Sequence, residues 1–126
     1  MMDVRRLLIT LAVTAGLATT ALAADQTGSP GADRLGGTGA ADRLAGRGGN
    51  DVLLGKGGRD VLTGDAGRDR LAGNKGADTL LGGAGRDRLD GGPGGDVISC
   101  GAGVDIVYTD GADQISSDCE DIRRAR

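Results

Sequence analysis

The sequence predicts an all-β fold, a parallel β-helix solenoid of nine nine-residue repeats with a C-terminal cap. Three observations carry this. An aspartate stands at every ninth position from 33 to 105, with an aliphatic residue two places after each. Glycines precede each aspartate at fixed distances. And with one Tyr, no Phe and no Trp in 126 residues, the chain lacks the large side chains of an ordinary globular core.

In chain order, residues 1–23 read as a signal peptide. Arg5 and Arg6 precede an apolar run from Leu7 to Leu17, and Ala21-Leu22-Ala23 supplies small residues for cleavage after Ala23. The run is shorter than the roughly 20 apolar residues of a spanning helix. The expected location is therefore secreted, extracellular or at the cell surface. Without residues 1–23 the chain carries 13 basic and 17 acidic groups, a net charge of −4 that argues against nucleic acid as a partner. Residues 24–27 read as a short linker, and the 103 residues after the cleavage point allow one small domain.

Residues 28–108 carry the repeats. The aspartates are Asp33, Asp42, Asp51, Asp60, Asp69, Asp78, Asp87, Asp96 and Asp105, followed two places on by Leu35, Leu44, Leu53, Leu62, Leu71, Leu80, Leu89, Ile98 and Val107. Five places before the aspartate stand Gly28, Gly37, Gly46, Gly55, Gly64, Gly73, Gly82 and Gly91, until Cys100 breaks the column. Two places before it is a further glycine, with Ala40 the exception. A disordered Gly-rich spacer would not hold three columns in phase. Each unit thus reads as a Gly-rich turn using positive φ, then a three-residue strand whose middle side chain points inward. Two units per turn of the coil bring aliphatics from both sides into a thin core, each strand stacking on the unit two further along at about 4.8 Å.

These columns resemble the GGxGxDxUx nonapeptide of the repeats-in-toxin (RTX) family, with GGAGRDRLD (82–90) and GGPGGDVIS (91–99) matching in full. The resemblance implies a calcium-loaded parallel β-roll. Its ions would sit between turns two repeats apart, bound by the aspartates and by carbonyls of turn residues such as Gly46, Gly55, Gly64, Gly73, Gly82 and Gly91. One edge would use Asp33, Asp51, Asp69, Asp87 and Asp105, the other Asp42, Asp60, Asp78 and Asp96, with room for about seven ions. The chemistry agrees. Carboxylates stacked at strand spacing repel by about 3.5 kcal/mol per neighbouring pair at an effective dielectric of 20, and a dication reverses the sign. Calcium takes six to eight oxygens in loose geometry, magnesium wants a tighter octahedron, and zinc lacks its usual histidines. Ser29, Thr38, Arg47, Lys56, Asp65 and Asn74 depart from the second glycine, so tighter binding is expected in the later repeats. RTX proteins commonly leave the cell by a C-terminally directed route, whereas this chain carries the pattern of a general secretory substrate.

Residues 109–126 keep Asp113-Gln114-Ile115 but not the regular glycine columns, and read as a capping segment. Cys100 and Cys119, in an exported chain, are expected to form a disulfide that fastens it. The acidic groups Asp110, Asp113, Asp118, Glu120 and Asp121 are expected to be simply solvated. Arg68, Arg70, Arg86 and Arg88 recur 18 residues apart, placing them on a single edge, where pairing with nearby carboxylates is the plain expectation and a basic ridge the functional one. Val61, Thr63, Thr79, Leu81, Val97 and Ser99 form an open, rather apolar face. Histidine is absent and no serine has an activating partner, so no enzyme is expected. The reading is a secreted, monomeric calcium-binding roll. Its alternative is an adhesin or binding module for a cell-wall or matrix partner, with calcium structural.

Overall fold

The computed structural model describes residues 22–125, so the signal-peptide reading lies almost wholly outside the described residues. Twelve short strands, all paired in parallel, make two six-stranded sheets. β1 (Asp25–Thr27), β3 (Arg43–Ala45), β5 (Val61–Thr63), β7 (Thr79–Leu81), β9 (Val97–Ser99) and β11 (Gln114–Ile115) form one sheet in that order. β2 (Arg34–Gly36), β4 (Val52–Leu54), β6 (Arg70–Ala72), β8 (Arg88–Asp90), β10 (Ile106–Thr109) and β12 (Asp121–Arg124) form the other. Consecutive strands alternate between sheets, which is the all-β parallel solenoid that a nine-residue period with two repeats per coil turn requires.

The register is that of the columns. Leu44 lies opposite Leu62 and Leu62 opposite Leu80 in one sheet; Leu53 lies opposite Leu71 and Leu71 opposite Leu89 in the other. With the strand's middle residue turned inward, these side chains meet between the sheets and are all buried. A core one aliphatic deep per nine residues is thin, so the coil leans heavily on its backbone ladder. Bonds such as Val61 N–H to Asp42 O (2.9 Å) and Gly64 N–H to Leu81 O (2.8 Å) carry the ladder past the ends of the strands.

The nine repeats account for β2 to β10, and the solenoid continues beyond them at both ends. Residues 24–27, read in the sequence as a linker, hold β1, which pairs with β3 in register. Gln26 takes the inward position there, and its Nε2 donates to Gly36 O at 2.7 Å, ending the core on a satisfied polar group. In the tail, β11 and β12 add a strand to each sheet, and Ile115 packs against the core. A Cys100–Cys119 disulfide ties this segment to the ninth repeat, with both residues buried in the core cluster.

Candidate metal centres

Each aspartate of the column sits where a turn enters a strand, and its two carboxylate oxygens have different fates. Oδ1 accepts the backbone N–H of the aspartate one coil turn earlier: Asp42 to Asp60, Asp51 to Asp69, Asp60 to Asp78, Asp69 to Asp87 and Asp78 to Asp96, each at 2.8–2.9 Å. The bond fixes the side chain's rotamer and stacks the carboxylates into two rails. Oδ2 points into the turn. In Asp51, Asp60, Asp69, Asp78, Asp87, Asp96, Asp105 and Asp113 this oxygen is buried and has no hydrogen-bond partner. Asp42 through Asp105 are at most 1 % exposed, whereas Asp33, at the end of its rail, is only half-buried.

An unpartnered buried carboxylate oxygen is costly, and that cost favours the protonated form of these groups. Burial, reinforced by the neighbouring carboxylates and only partly offset by the backbone N–H bond, pushes Asp60 and Asp69 up to about 6 and Asp87 and Asp96 up to about 7. Asp51, Asp78 and Asp105 are also raised, again chiefly by burial.

The glycines five places before the aspartates are there for space, not for backbone freedom. None of them has positive φ. A Cβ on Gly64 would lie 2.6 Å from Asp69 Oδ2 and 2.7 Å from Gly82 O, and one on Gly55 would lie 2.5 Å from Asp60 Oδ2 and 2.9 Å from Gly73 O. A carboxylate oxygen and the carbonyl of the next coil turn thus face the same small space, with no donor between them. Gly73 and Gly82 place their carbonyls this way against Asp60 and Asp69, and Cys100 does so against Asp87, a role the sequence reading gave only to glycines; Gly46 and Gly55 face Asp33 and Asp42, whose Oδ2 atoms also accept the N–H groups of Ser29 and Thr38. A Cβ on Gly91 would press on Asp96 Oδ2 in its own turn, as one on Gly64 would on Asp69 Oδ2. Positive φ belongs to other positions: to Arg47, Lys56, Asp65 and Asn74 at 67–76°, and to the glycines two places before each aspartate from Gly49 onward. This set, all oxygen, anionic and short of donors, fits a hard divalent cation and suits calcium best.

Two expectations about the charged residues need correction. The tail acids are not simply solvated. Asp113 continues a rail, its Oδ1 accepting Asp96 N–H at 3.0 Å, and Asp118 accepts Gly101 N–H at 2.9 Å and Cys100 N–H at 3.2 Å, bonds that hold its carboxyl below the usual range. The signal for Asp113 was present in Asp113-Gln114-Ile115, hidden by a spacing of 17 in place of 18. Cys100, Cys119 and Asp118 also lie close enough to hold a metal, but the sulfurs are bonded to each other.

The arginines, in turn, do not form one edge. Arg70 and Arg88 are neighbours on β6 and β8, while Arg68 and Arg86 lie in the preceding turns. Nor do they pair with carboxylates: among the described residues the ion pair present is Arg123–Asp121. Arg34, Arg70 and Arg88 line a shallow groove of about 300 Å³ on the outer face of the second sheet, and Arg88 stacks over Tyr108 at 4.5 Å.

No curated protein and no solved structure matches the chain. A family profile, the RTX calcium-binding nonapeptide repeat in four copies, matches residues 27–62, 63–98 and 81–115. With the two rails and their glycine-lined turns in the same residues, the chain belongs to the RTX calcium-binding nonapeptide repeat family.

Proposed function

We propose that this protein is an exported, non-enzymatic, monomeric calcium-binding β-roll, ordered by calcium held between its stacked turns. The observation that carries the reading is the set of eight buried Oδ2 atoms without partners. Oxygens so placed need protons or cations, and outside the cell millimolar calcium is the abundant choice. Asp51, Asp60, Asp69, Asp78, Asp87, Asp96 and Asp105 would supply carboxylates and Gly46, Gly55, Gly64, Gly73, Gly82 and Gly91 carbonyls, with calcium neutralising rails that otherwise repel. Asp33 and Asp42 stand at the start of the same rails.

Export is supported at the point of cleavage. Ala24, the first residue after Ala23, is 3 % exposed and already bonded into the sheet, its carbonyl accepting Arg43 N–H at 2.8 Å. The disulfide fits an oxidising compartment.

Stripping and restoring calcium while following circular dichroism tests the reading. The strand signal should be lost on chelation at neutral pH and return with calcium but not with equal magnesium. Unchanged spectra throughout would refute it.

The unpaired arginine groove favours a second reading, in which the roll presents Arg34, Arg70 and Arg88 to an acidic cell-wall or matrix polymer while calcium stays structural. Arg70→Glu with Arg88→Glu should then abolish retention on such a polymer and leave calcium-induced folding intact. Unaltered retention rules it out.

A further inference from the structure

The first two turns close differently from all that follow. Ser29 N–H donates to Asp33 Oδ2 at 2.6 Å, and the Ser29 hydroxyl lies 3.1 Å from both carboxylate oxygens. Thr38 repeats the arrangement on Asp42, with its N–H 2.5 Å from Oδ2 and its hydroxyl 2.9 Å from Oδ1 and 3.2 Å from Oδ2. Each hydroxyl also accepts an N–H two residues on, from Gly31 and Ala40, at 3.1 and 3.0 Å. Ala24 N–H adds a 2.6 Å bond to Asp42 Oδ1.

From the third repeat on, the equivalent residue is left-handed: Arg47, Lys56, Asp65 and Asn74, then Gly83, Gly92 and Gly101 at 85–91°. Ser29 and Thr38 are not. The left-handed turn leaves its N–H off the carboxylate, and in those turns Oδ2 has no partner. Where the N–H and hydroxyl face the carboxylate, the space beside Oδ2 is lined by donor hydrogens, which repel a cation and already satisfy the anion.

Resting on the calcium reading above, we infer that the first two turns are a metal-free end cap. Ser29 and Thr38 do there with hydrogen bonds what calcium does elsewhere, and Asp33 and Asp42 are not calcium ligands. The cation-holding rails are then Asp51, Asp69, Asp87 and Asp105 on one edge and Asp60, Asp78, Asp96 and Asp113 on the other. Four aspartates per rail leave three gaps each, so six ions replace the seven that the aspartate columns imply. A terminal turn has a neighbour on one side only, and closing it with hydrogen bonds removes the need for an ion with half its ligands missing.

Native mass spectrometry across a calcium titration tests this. The wild-type protein should saturate at six ions, and Asp33→Asn and Asp42→Asn should keep six. Asp113→Asn should fall to five, and Ser29→Gly with Thr38→Gly should rise above six. A wild-type count other than six, or an ion lost in Asp33→Asn or Asp42→Asn, overturns the cap; the wild-type count decides even if a variant does not fold. A protein that takes up no calcium at all refutes the calcium reading itself.

Discussion

The backbone N–H of Asp60 donates to Oδ1 of Asp78, 18 residues further on, at 2.8 Å. This one bond joins the ladder to the rail. It holds the Asp78 carboxylate rigidly one coil turn from that of Asp60, so the geometry that stacks the strands also stacks the charges.

Asparagine at position 78 keeps the acceptor and removes the charge. Asp78→Asn should therefore raise the stability of the metal-free protein, by relieving repulsion within the rail, and weaken calcium binding by about tenfold or more, on the order of 1.4 kcal/mol. Asp78→Ala also strands the Asp60 N–H and should destabilise both forms by about 1–3 kcal/mol. Calorimetric calcium titration and denaturant melts of both forms check the pair; equal affinity in Asp78→Asn and wild type would remove Asp78 from the rail.

Steric room separates the glycines. In Gly64→Ala the new Cβ meets Asp69 Oδ2 and the Gly82 carbonyl below 3 Å, and neither can yield without opening the turn. A loss of about 4 kcal/mol or more is expected. Gly95→Ala meets nothing nearer than Ala112 O at 3.5 Å, at ordinary φ, and should stay within about 0.5 kcal/mol of wild type. Similar melting of the two variants would contradict this account of the column.

Acid should partly substitute for calcium. Asp60 and Asp69, at about 6, and Asp87 and Asp96, at about 7, bind protons in the folded metal-free form at pH values where the unfolded chain, near 3.8, has released them. Their contribution to stability is full below about pH 4 and is lost as pH rises through 6 to 7. Metal-stripped protein should hold more strand signal at pH 4.5 than at pH 8. Calcium must displace the same protons, so its apparent affinity should climb from pH 5 to pH 7 and then level. An affinity independent of pH over that range would argue against proton competition in the rails.

Reduction should loosen one end only. Cys100 and Cys119 are 19 residues apart in sequence, and closing a loop of that size stabilises by about 3 kcal/mol. Cys100→Ala with Cys119→Ala should free the amides of β11 and β12 to hydrogen exchange while those of β4 to β8 stay protected. Uniform loss of protection along the chain would mean that the tail supports the whole roll.

The period, the strands of the nine repeats, the inward aliphatics and the two rails are all legible in the amino-acid columns. That follows from solenoid geometry, in which each coil turn packs only on the next, so a column in the sequence becomes a row in space. What lies outside the columns is set by packing between coil turns. β1 is a strand because β3 offers it an edge, and Asp113 joins a rail because the tail coils in 17 residues and not 18. Ser29 and Thr38 differ from Lys56 and Asn74 through a backbone angle and a few hydrogen bonds within the turn, and nine letters of sequence do not specify which way an N–H faces.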